Sequence, residues 1–298
     1  MTAKKRGNKL GFWFFRTTLK LFNLSGAYGL LYPVCLYYLL FDRPAVTTAM
    51  AYVKRRYSSD NIFQRTITVY KLFISQGKSL IDRFYTIAGL GQFNIELRGY
   101  DKIKSLLCNN NTGFILLTAH VGNWQVTMSS LGELGKTVYL LMSPEENAAV
   151  KNSLNLYSEN EKVKIISPEG AFGGVIEILK AIDEGNIVSV MGDRSYGRDT
   201  VEVSLLGGKA YFPHSAFTIA ATAGCPIVIL LSAKAGKKKY VADISHVIEL
   251  RISSNAEKKN AIKGYVQEFA EILERFSYEY PLQWFIFHDL WNEKINED

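Results

Sequence analysis

The spacing of apolar side chains differs on the two sides of residue 93. Residues 46–88 follow the pattern of helices with one buried face, because apolar side chains recur three, four or seven positions apart at Phe63, Ile67, Tyr70, Ile74 and Ile81. The polar run Ser58–Asn61 interrupts this pattern and predicts two helices, the second capped by Ser59 or Asp60. Residues 46–88 are therefore expected to be helical.

Short apolar runs alternate with amphipathic helices from residue 93 onward. The predicted strands are Asn94–Arg98, Phe114–Ala119, Thr137–Met142, Val163–Ile166, Ile187–Met191, Val201–Leu205, Ile227–Ala233 and Tyr240–Leu250. The predicted helices are Trp124–Leu134, Glu145–Glu159, Phe172–Asp183, Ser215–Ala223 and Ala256–Phe276. Lys237–Lys239 suits the tip of a hairpin between the last two strands. This alternation predicts an α/β fold, with a mostly parallel mixed sheet flanked by helices.

An uncharged stretch at residues 21–41 precedes these elements. It is about as long as a helix that crosses a bilayer, and Pro33 is expected to kink it. Three interpretations are open: a buried helical hairpin, a signal peptide, and a membrane anchor or re-entrant segment. Flanking basic residues and aromatic ends favour the third. We expect residues 1–45 to anchor the chain to a membrane and residues 46–298 to form the α/β domain.

Composition narrows the classes of function. The 298 residues are 48% apolar, enough for one sizeable core, and the net charge is +7. A basic surface suits nucleic acid, anionic lipid or an acidic carrier protein, but the chain has no arginine-rich tract or nucleic-acid-binding motif, so we expect no nucleic acid partner. The three cysteines and four histidines lack metal-ligand spacing, so no metal site is expected. Cys225 is read as a buried structural residue rather than a nucleophile.

Familiar catalytic motifs are missing from the sequence. It has no phosphate-binding loop, no dinucleotide-binding glycine fingerprint and no Gly-x-Ser-x-Gly elbow. His120 is the main candidate for chemistry, because it follows a buried strand where ligands gather in open α/β sheets. A general base with an orienting acceptor and a capped, satisfied histidine are equally open readings. Asp193–Arg194 follows another strand, where Arg194 could polarise a carbonyl or fix a turn by a local salt bridge, and His214 is a weaker second candidate.

Several stretches, in this order, resemble one family. They are "TAHVGNWQ", "VMGDR", "VEVSLLGGKAYFP", "AATAGCPIVIL" and "PLQWFIFHDLW". Together they resemble the lysophospholipid acyltransferase superfamily, in its bacterial lipid A biosynthesis acyltransferase-like branch, over roughly residues 10 to 292. The resemblance implies that an acyl chain moves from a thioester, acyl-ACP or acyl-CoA, to a hydroxyl or amine of a lipid. It implies no other cofactor, and a location on the cytoplasmic face of a bacterial inner membrane.

The resemblance also assigns residues. His120 matches the catalytic histidine of a motif in which an acid stands five positions later, and Gln125 occupies that acid position. The other residues implied to act are Asp193 and Arg194 in catalysis, and Asn123, Trp124, Phe212, Pro213, His214 and Pro226 in substrate binding. The implied mechanism is direct transfer: His120 takes a proton from the acceptor, which attacks the thioester carbonyl, while backbone amides or Arg194 stabilise the oxyanion.

Gln125 departs from the family pattern. Its carbonyl can accept a hydrogen bond from neutral His120, but it lacks the negative charge that would stabilise an imidazolium. Three explanations are open: Asp193 or Glu169 approaches His120, the chain is a slow or specialised transferase with an amine acceptor, or it is a lipid-binding homologue with little activity. A soluble thioesterase is a further reading, which predicts hydrolysis without an acceptor.

Overall fold

We describe the protein from a computed structural model. The residues that it describes are 9–108, 113–131, 135–142, 163–168, 171–194, 199–252, 254 and 257–292. The predicted helix Glu145–Glu159 and the candidate Glu169 lie outside these residues.

The main sheet has seven strands within the described residues, which are β1 (Asn94–Arg98), β2 (Phe114–Thr118), β3 (Val138–Leu141), β4 (Val163–Ile166), β5 (Ile187–Met191), β8 (Ile227–Gly236) and β9 (Lys239–Ile248). Their order across the sheet is β1-β9-β8-β2-β5-β3-β4. Neighbouring strands run parallel except β8 and β9, which form an antiparallel pair. A separate antiparallel hairpin joins β6 (Thr200–Leu205) and β7 (Gly208–Pro213). The predicted α/β class with a mostly parallel mixed sheet is confirmed.

Eight α-helices lie within the described residues. They are α1 (Lys9–Phe41), α2 (Arg43–Arg56), α3 (Ile62–Ile87), α4 (Tyr100–Cys108), α5 (Trp124–Leu131), α6 (Val175–Asp183), α7 (Ser215–Ala223) and α8 (Lys258–Glu279). A short 3-10 helix, Ala171–Gly174, leads into α6. The central strand β2 is buried at every position, because it lies between β8 and β5 with both faces covered, as its continuous apolar run indicates.

The N-terminal helices pack on one another through regularly spaced small and apolar side chains. Leu24, Ala27, Leu31 and Cys35 are buried along α1, three or four residues apart, and α1 packs on α3. A Cβ on Gly77 of α3 would lie 2.6 Å from the Leu31 side chain, so the two helices need glycine there to approach this closely. One face of the second half of α1 is thus packed against α3.

Several boundaries differ from those predicted. Asn61, rather than Ser59 or Asp60, caps α3, in a reciprocal arrangement with Gln64. The non-helical break in α1 falls at Asn23, and Pro33 lies inside the helix. Helix α4 and strand β7 were not predicted; the turn before β7 has positive φ at Leu206 and Gly207, which suits a two-residue hairpin loop. The predicted tip at Lys237–Lys239 does join β8 to β9. The domain boundary at residue 45 stays a prediction.

Candidate active site

The loop that carries His120 leaves β2 at the carboxyl edge of the sheet. Gly122, in this loop, has a φ of 56°, and a Cβ there would lie 2.0 Å from the backbone oxygen of Ser232. Only glycine fits at this position, for reasons of both conformation and space. The Ser232 hydroxyl, on β8, accepts the Asn123 N–H at 2.9 Å and donates to the Val121 carbonyl at 3.2 Å. The turn is therefore held tightly against β8.

His120 is paired with a carboxylate from the neighbouring strand. Because Thr118 of β2 pairs with Met191 of β5, His120 and Asp193 each lie two residues beyond a matched pair. The ring Nδ1 of His120 lies 2.7 Å from Asp193 Oδ1, and the backbone N–H of His120 donates to Asp193 Oδ2 at 2.8 Å. The His120 side chain is 26% exposed, whereas Asp193 is fully buried. The buried carboxylate of Asp193 thus fixes the His120 ring, while part of the ring stays accessible to solvent.

The electrostatics of Asp193 favour its ionised form. Burial by itself would raise the pKa of this carboxyl, but the His120 charge, the hydrogen bonds from the ring and backbone of His120 and the Trp284 indole together lower the pKa below its usual value. An ionised carboxylate can only accept hydrogen bonds, so the proton in the contact sits on Nδ1 of His120. When the ring is neutral, Nε2 is therefore the nitrogen with a free lone pair.

The C-terminal segment around residues 283–285 packs against His120 and Asp193 on their buried side. Trp284 is fully buried, and its indole N–H donates to Asp193 Oδ2 at 2.9 Å. The Phe285 N–H donates to the His120 carbonyl at 2.7 Å, and the Gly122 N–H donates to the Gln283 carbonyl at 2.7 Å. Sequence reasoning missed Trp284, because the aromatic run at the C-terminus was interpreted as general packing. The available signal was that a buried indole N–H usually needs a hydrogen-bond acceptor, which would have indicated a polar partner for Trp284.

Gln125 does not meet His120. Its Oε1 accepts a hydrogen bond from Nη1 of Arg83, on α3, at 3.0 Å. Burial lowers the pKa of the Arg83 guanidinium. The carboxylate expected near His120 is supplied by Asp193 instead, which is one of the two residues that the sequence analysis named for this place.

The two residues between His120 and Gln125 that were assigned to substrate binding have structural contacts. The Asn123 side chain is buried, accepts the Val126 N–H at 3.3 Å and donates to the Ser79 carbonyl at 2.7 Å. It therefore acts as the N-terminal cap of α5. Trp124 is half-buried and packs against the cluster that contains Phe114 and other apolar residues of one sheet face.

Arg194 follows Asp193 directly and is half-buried. Its Nε is buried and has no hydrogen-bond partner among the described residues. Unpaired buried donors are rare and need an explanation, such as a catalytic function or an unseen ligand. The local salt bridge considered for Arg194 is not observed among the described residues.

Two residues assigned to substrate binding lie elsewhere. Phe212 is fully buried in the core, with its ring centre 6.0 Å from that of Phe269. The Pro226 carbonyl accepts the Ile115 N–H at 3.1 Å, at the amino end of β2, which at about 3.3 Å per residue is roughly 15 Å from His120. Strand β8 runs parallel to β2, so Pro226 lies at the edge of the sheet opposite His120. The assignment of Phe212 and Pro226 to substrate binding stays a prediction.

Pro213 and His214 form the junction of β7 and α7. Pro213 pairs with Thr200, and Nδ1 of His214 lies 3.1 Å from the Thr218 hydroxyl. The contact to Thr218 is local to the first turn of α7, and no hydrogen bond in the described part of the chain joins His214 to His120.

The remaining candidates have no catalytic setting. Burial raises the pKa of the Cys225 thiol to about 11, which opposes a nucleophilic thiolate at neutral pH. Within the described ranges, no group of three or more His, Cys, Asp or Glu side chains could hold a metal ion.

Comparisons with known protein families and solved structures identify what this chain is similar to. Residues 87–293 match the family model described as bacterial lipid A biosynthesis acyltransferase. No curated protein matches the chain. Among solved structures, the chain is similar to the 1-acyl-sn-glycerophosphate (LPA) acyltransferase PlsC from Thermotoga maritima, with 12% identity, coverage of 83% of this chain and 97% of that one, and a TM-score of 0.38.

Proposed function

Because this chain belongs to the bacterial lipid A biosynthesis acyltransferase family, we propose that it is a membrane-associated enzyme that moves a fatty acyl group from a thioester to a hydroxyl or amine of a lipid. The family supports acyl transfer to a lipid in general. The finer proposal is carried by one observation, the contact of His120 Nδ1 with a buried, ionised Asp193 at 2.7 Å. This pair leaves a partly exposed imidazole with a free Nε2.

The proposed reaction uses this nitrogen as a general base. Nε2 of His120 takes the proton as the acceptor oxygen or nitrogen bonds to the thioester carbonyl carbon. The tetrahedral intermediate then expels the thiolate, which takes the proton from Nε2. Asp193 stabilises the imidazolium between these steps, as a carboxylate does in the Ser-His-Asp triads. The unpaired Nε of Arg194 is a candidate donor to the oxyanion.

Asp193 also bears on the alternative, a lipid-binding homologue with little activity. That reading rested on the absence of a carboxylate at position 125. Since Asp193 supplies the negative charge to His120 from another strand, an amide at position 125 does not by itself remove the catalytic acid. Activity is therefore the better supported reading.

Membrane association is proposed for the N-terminal helices. Asn23–Phe41 is the candidate span in the described residues, and only 22% of its apolar window is buried. The exposed apolar side chains near the end of α1 and the start of α3 are Tyr32, Val34, Leu36, Tyr37, Leu40, Phe41, Ile62, Phe63 and Ile67. An exposed apolar surface of this kind suits a lipid phase. We place the protein on the cytoplasmic face of the inner membrane, where acyl-ACP and acyl-CoA are available as donors.

A partition experiment tests the membrane proposal. Leu40→Glu and Phe41→Glu together should move the chain from the membrane to the soluble fraction of fractionated cells. Ile176→Glu is the matched control, because Ile176 is an exposed apolar residue on α6, away from the N-terminal helices. Equal partition of both variants would contradict this membrane surface.

The reaction is tested by acyl transfer with a radiolabelled acyl thioester and a bacterial lipid extract, using acyl-ACP and acyl-CoA in parallel. The full chain should form a labelled lipid, and His120→Ala should lose this product by several orders of magnitude. Release of free fatty acid without acceptor would favour a thioesterase. Unchanged lipid product with His120→Ala would contradict the base.

A further inference from the structure

Arg83 is a half-buried cation whose side chain contacts an amide rather than a carboxylate. Its Nη1 donates to the Gln125 amide oxygen, and no Asp or Glu of the described residues forms an ion pair with it. Burial lowers the pKa of its guanidinium. A guanidinium has five N–H donors, and a neutral amide accepts one of them.

Asp82, the residue before Arg83 in the sequence, is a buried charge with several partners. Asp82 is fully buried and contacts the ammonium of Lys234 and the hydroxyls of Tyr28 and Tyr240. Buried charges are normally paired in this way, because an uncompensated one is costly. Arg83 has no carboxylate partner of this kind among the described residues, so its guanidinium can take a counter-charge from a ligand.

The position of Arg83 places it next to the catalytic loop. Ser79, one helical turn earlier on α3, donates from its hydroxyl to the Gly122 carbonyl at 2.9 Å and accepts from the Asn123 side chain at 2.7 Å. Ser79 and Arg83 therefore hold the start and the end of the turn between His120 and Gln125. An anion bound by Arg83 would lie beside the same turn that carries the base.

We propose that Arg83 binds an anionic group, phosphate or carboxylate, of a substrate during acyl transfer, and that Gln125 holds the guanidinium in place without neutralising it. This inference rests on the acyl transfer proposed above. A carboxylate at position 125 would form an ion pair with Arg83 and compete with the ligand. The amide is thus a determinant of substrate choice, rather than a damaged catalytic acid.

Two substrates could provide the anion. One is the lipid acceptor, through a charged headgroup. The other is the donor, through the phosphate of the phosphopantetheine arm that acyl-ACP and acyl-CoA share. The chemistry that Arg83 recognises is the same in both, because a guanidinium pairs with planar or tetrahedral oxyanions through two N–H groups.

Direct binding provides a test that does not depend on turnover. The full chain in neutral detergent is titrated with dodecyl phosphate by calorimetry, with dodecanol as the uncharged probe. Arg83→Gln and Gln125→Glu should each weaken dodecyl phosphate binding about 10- to 100-fold, the range of a charge-assisted hydrogen bond. Arg83→Lys should retain part of it. Arg56→Gln is the matched control, since Arg56 is a half-buried arginine that stacks on Tyr278, away from the site.

Kinetics then identify the source of the anion. If Arg83 binds the acceptor, Arg83→Gln raises KM for an anionic lysolipid about tenfold or more and leaves KM for a neutral monoacylglycerol unchanged. If it binds the donor, KM rises for acyl-ACP and acyl-CoA but not for the acyl thioester of N-acetylcysteamine, which lacks the phosphate.

Two results would overturn the anion site. One is dodecyl phosphate binding that is equal in the unaltered protein, Arg83→Gln and Gln125→Glu. The other is full activity of Gln125→Glu, because a carboxylate there would strengthen a merely structural contact with Arg83. Absence of acyl transfer by the unaltered chain, together with Arg83-dependent binding of dodecyl phosphate, would contradict the proposed function and leave the anion site supported.

Discussion

Two fully buried carboxylates, Asp193 and Asp82, have similar numbers of partners and opposite chemical settings. Asp193 accepts from the ring and backbone of His120 and from Trp284, and its pKa is lowered. Asp82 contacts Lys234 and two tyrosine hydroxyls, but burial outweighs these partners and its pKa is raised. The Lys234 ammonium is itself covered by aromatic rings, including Phe93 at 4.7 Å.

The difference lies in what each carboxylate can act upon. The partner of Asp193 is a histidine with a quarter of its side chain exposed at the carboxyl edge of the sheet. The partners of Asp82 come from α1, β8 and β9, and the Lys234 side chain is only 16% exposed. Burial and hydrogen bonding alone therefore do not mark a catalytic carboxylate. A catalytic carboxylate is recognised by an accessible partner whose charge changes during the reaction.

The largest effect should follow from removing the charge of Asp193. Asp193→Asn is expected to lower kcat by about 10³- to 10⁴-fold, as loss of the orienting carboxylate does in hydrolytic triads. Asp82→Asn, compared per folded molecule, should keep most of the activity. Initial rates of acyl transfer, with the folded fraction measured by circular dichroism, check this contrast. Equal loss in both variants would abolish the distinction between the two carboxylates.

For the free energy of unfolding, we expect the opposite order: Asp82→Asn should have a larger effect than Asp193→Asn. Asp82→Asn leaves the buried Lys234 ammonium unpaired, and breaking a buried ion pair in this way costs about 3–5 kcal/mol. Denaturant unfolding in detergent measures the change. Asp82→Leu with Lys234→Met should recover much of the lost stability, because it removes both charges. No recovery in the double variant would show that the pair is not the source of the cost.

A smaller effect is expected from the indole of Trp284. Trp284→Phe keeps an aromatic ring in the core but removes one donor to Asp193, which should raise the pKa of that carboxyl and lower kcat about tenfold, the equivalent of one hydrogen bond to a charged group. Trp291→Phe is the matched control, because the Trp291 indole donates to the Leu205 carbonyl at 3.2 Å, remote from His120. Similar kcat values for the two variants would remove Trp284 from the site.

The smallest effect is the pH dependence of stability. The folded pKa of Asp193 is lowered, so its ionised form stabilises the fold at pH values above the unfolded pKa of about 3.9. This contribution is lost as pH falls through the lower folded pKa. The difference in unfolding free energy between the parent and Asp193→Asn should therefore shrink as pH falls below about 4. A difference that grows in acid would mean that the pKa is raised instead.

The sequence predicts most of the sheet but only part of the site. Buried apolar runs located strands such as Ile187–Met191 at their observed bounds, and strand ends pointed to His120 and Asp193. The contact between these two residues was one of several options, since only the pairing of β2 with β5 fixes it. Trp284 and Arg83 were missed, because their contacts depend on how distant helices and the C-terminal segment pack on the catalytic loop. The approach of α3 to α5 leaves no local pattern in the sequence.

The most direct test of the account is the protonation of the His120 ring. The chain has four histidines, so nitrogen-15 NMR of histidine-labelled protein can resolve them, with His120→Ala giving the assignment. We expect a proton on Nδ1 of His120 in the parent and in Gln125→Ala, and its loss or redistribution to Nε2 in Asp193→Asn. A tautomer that changes in Gln125→Ala and persists in Asp193→Asn would contradict the claim that Asp193 orients the base.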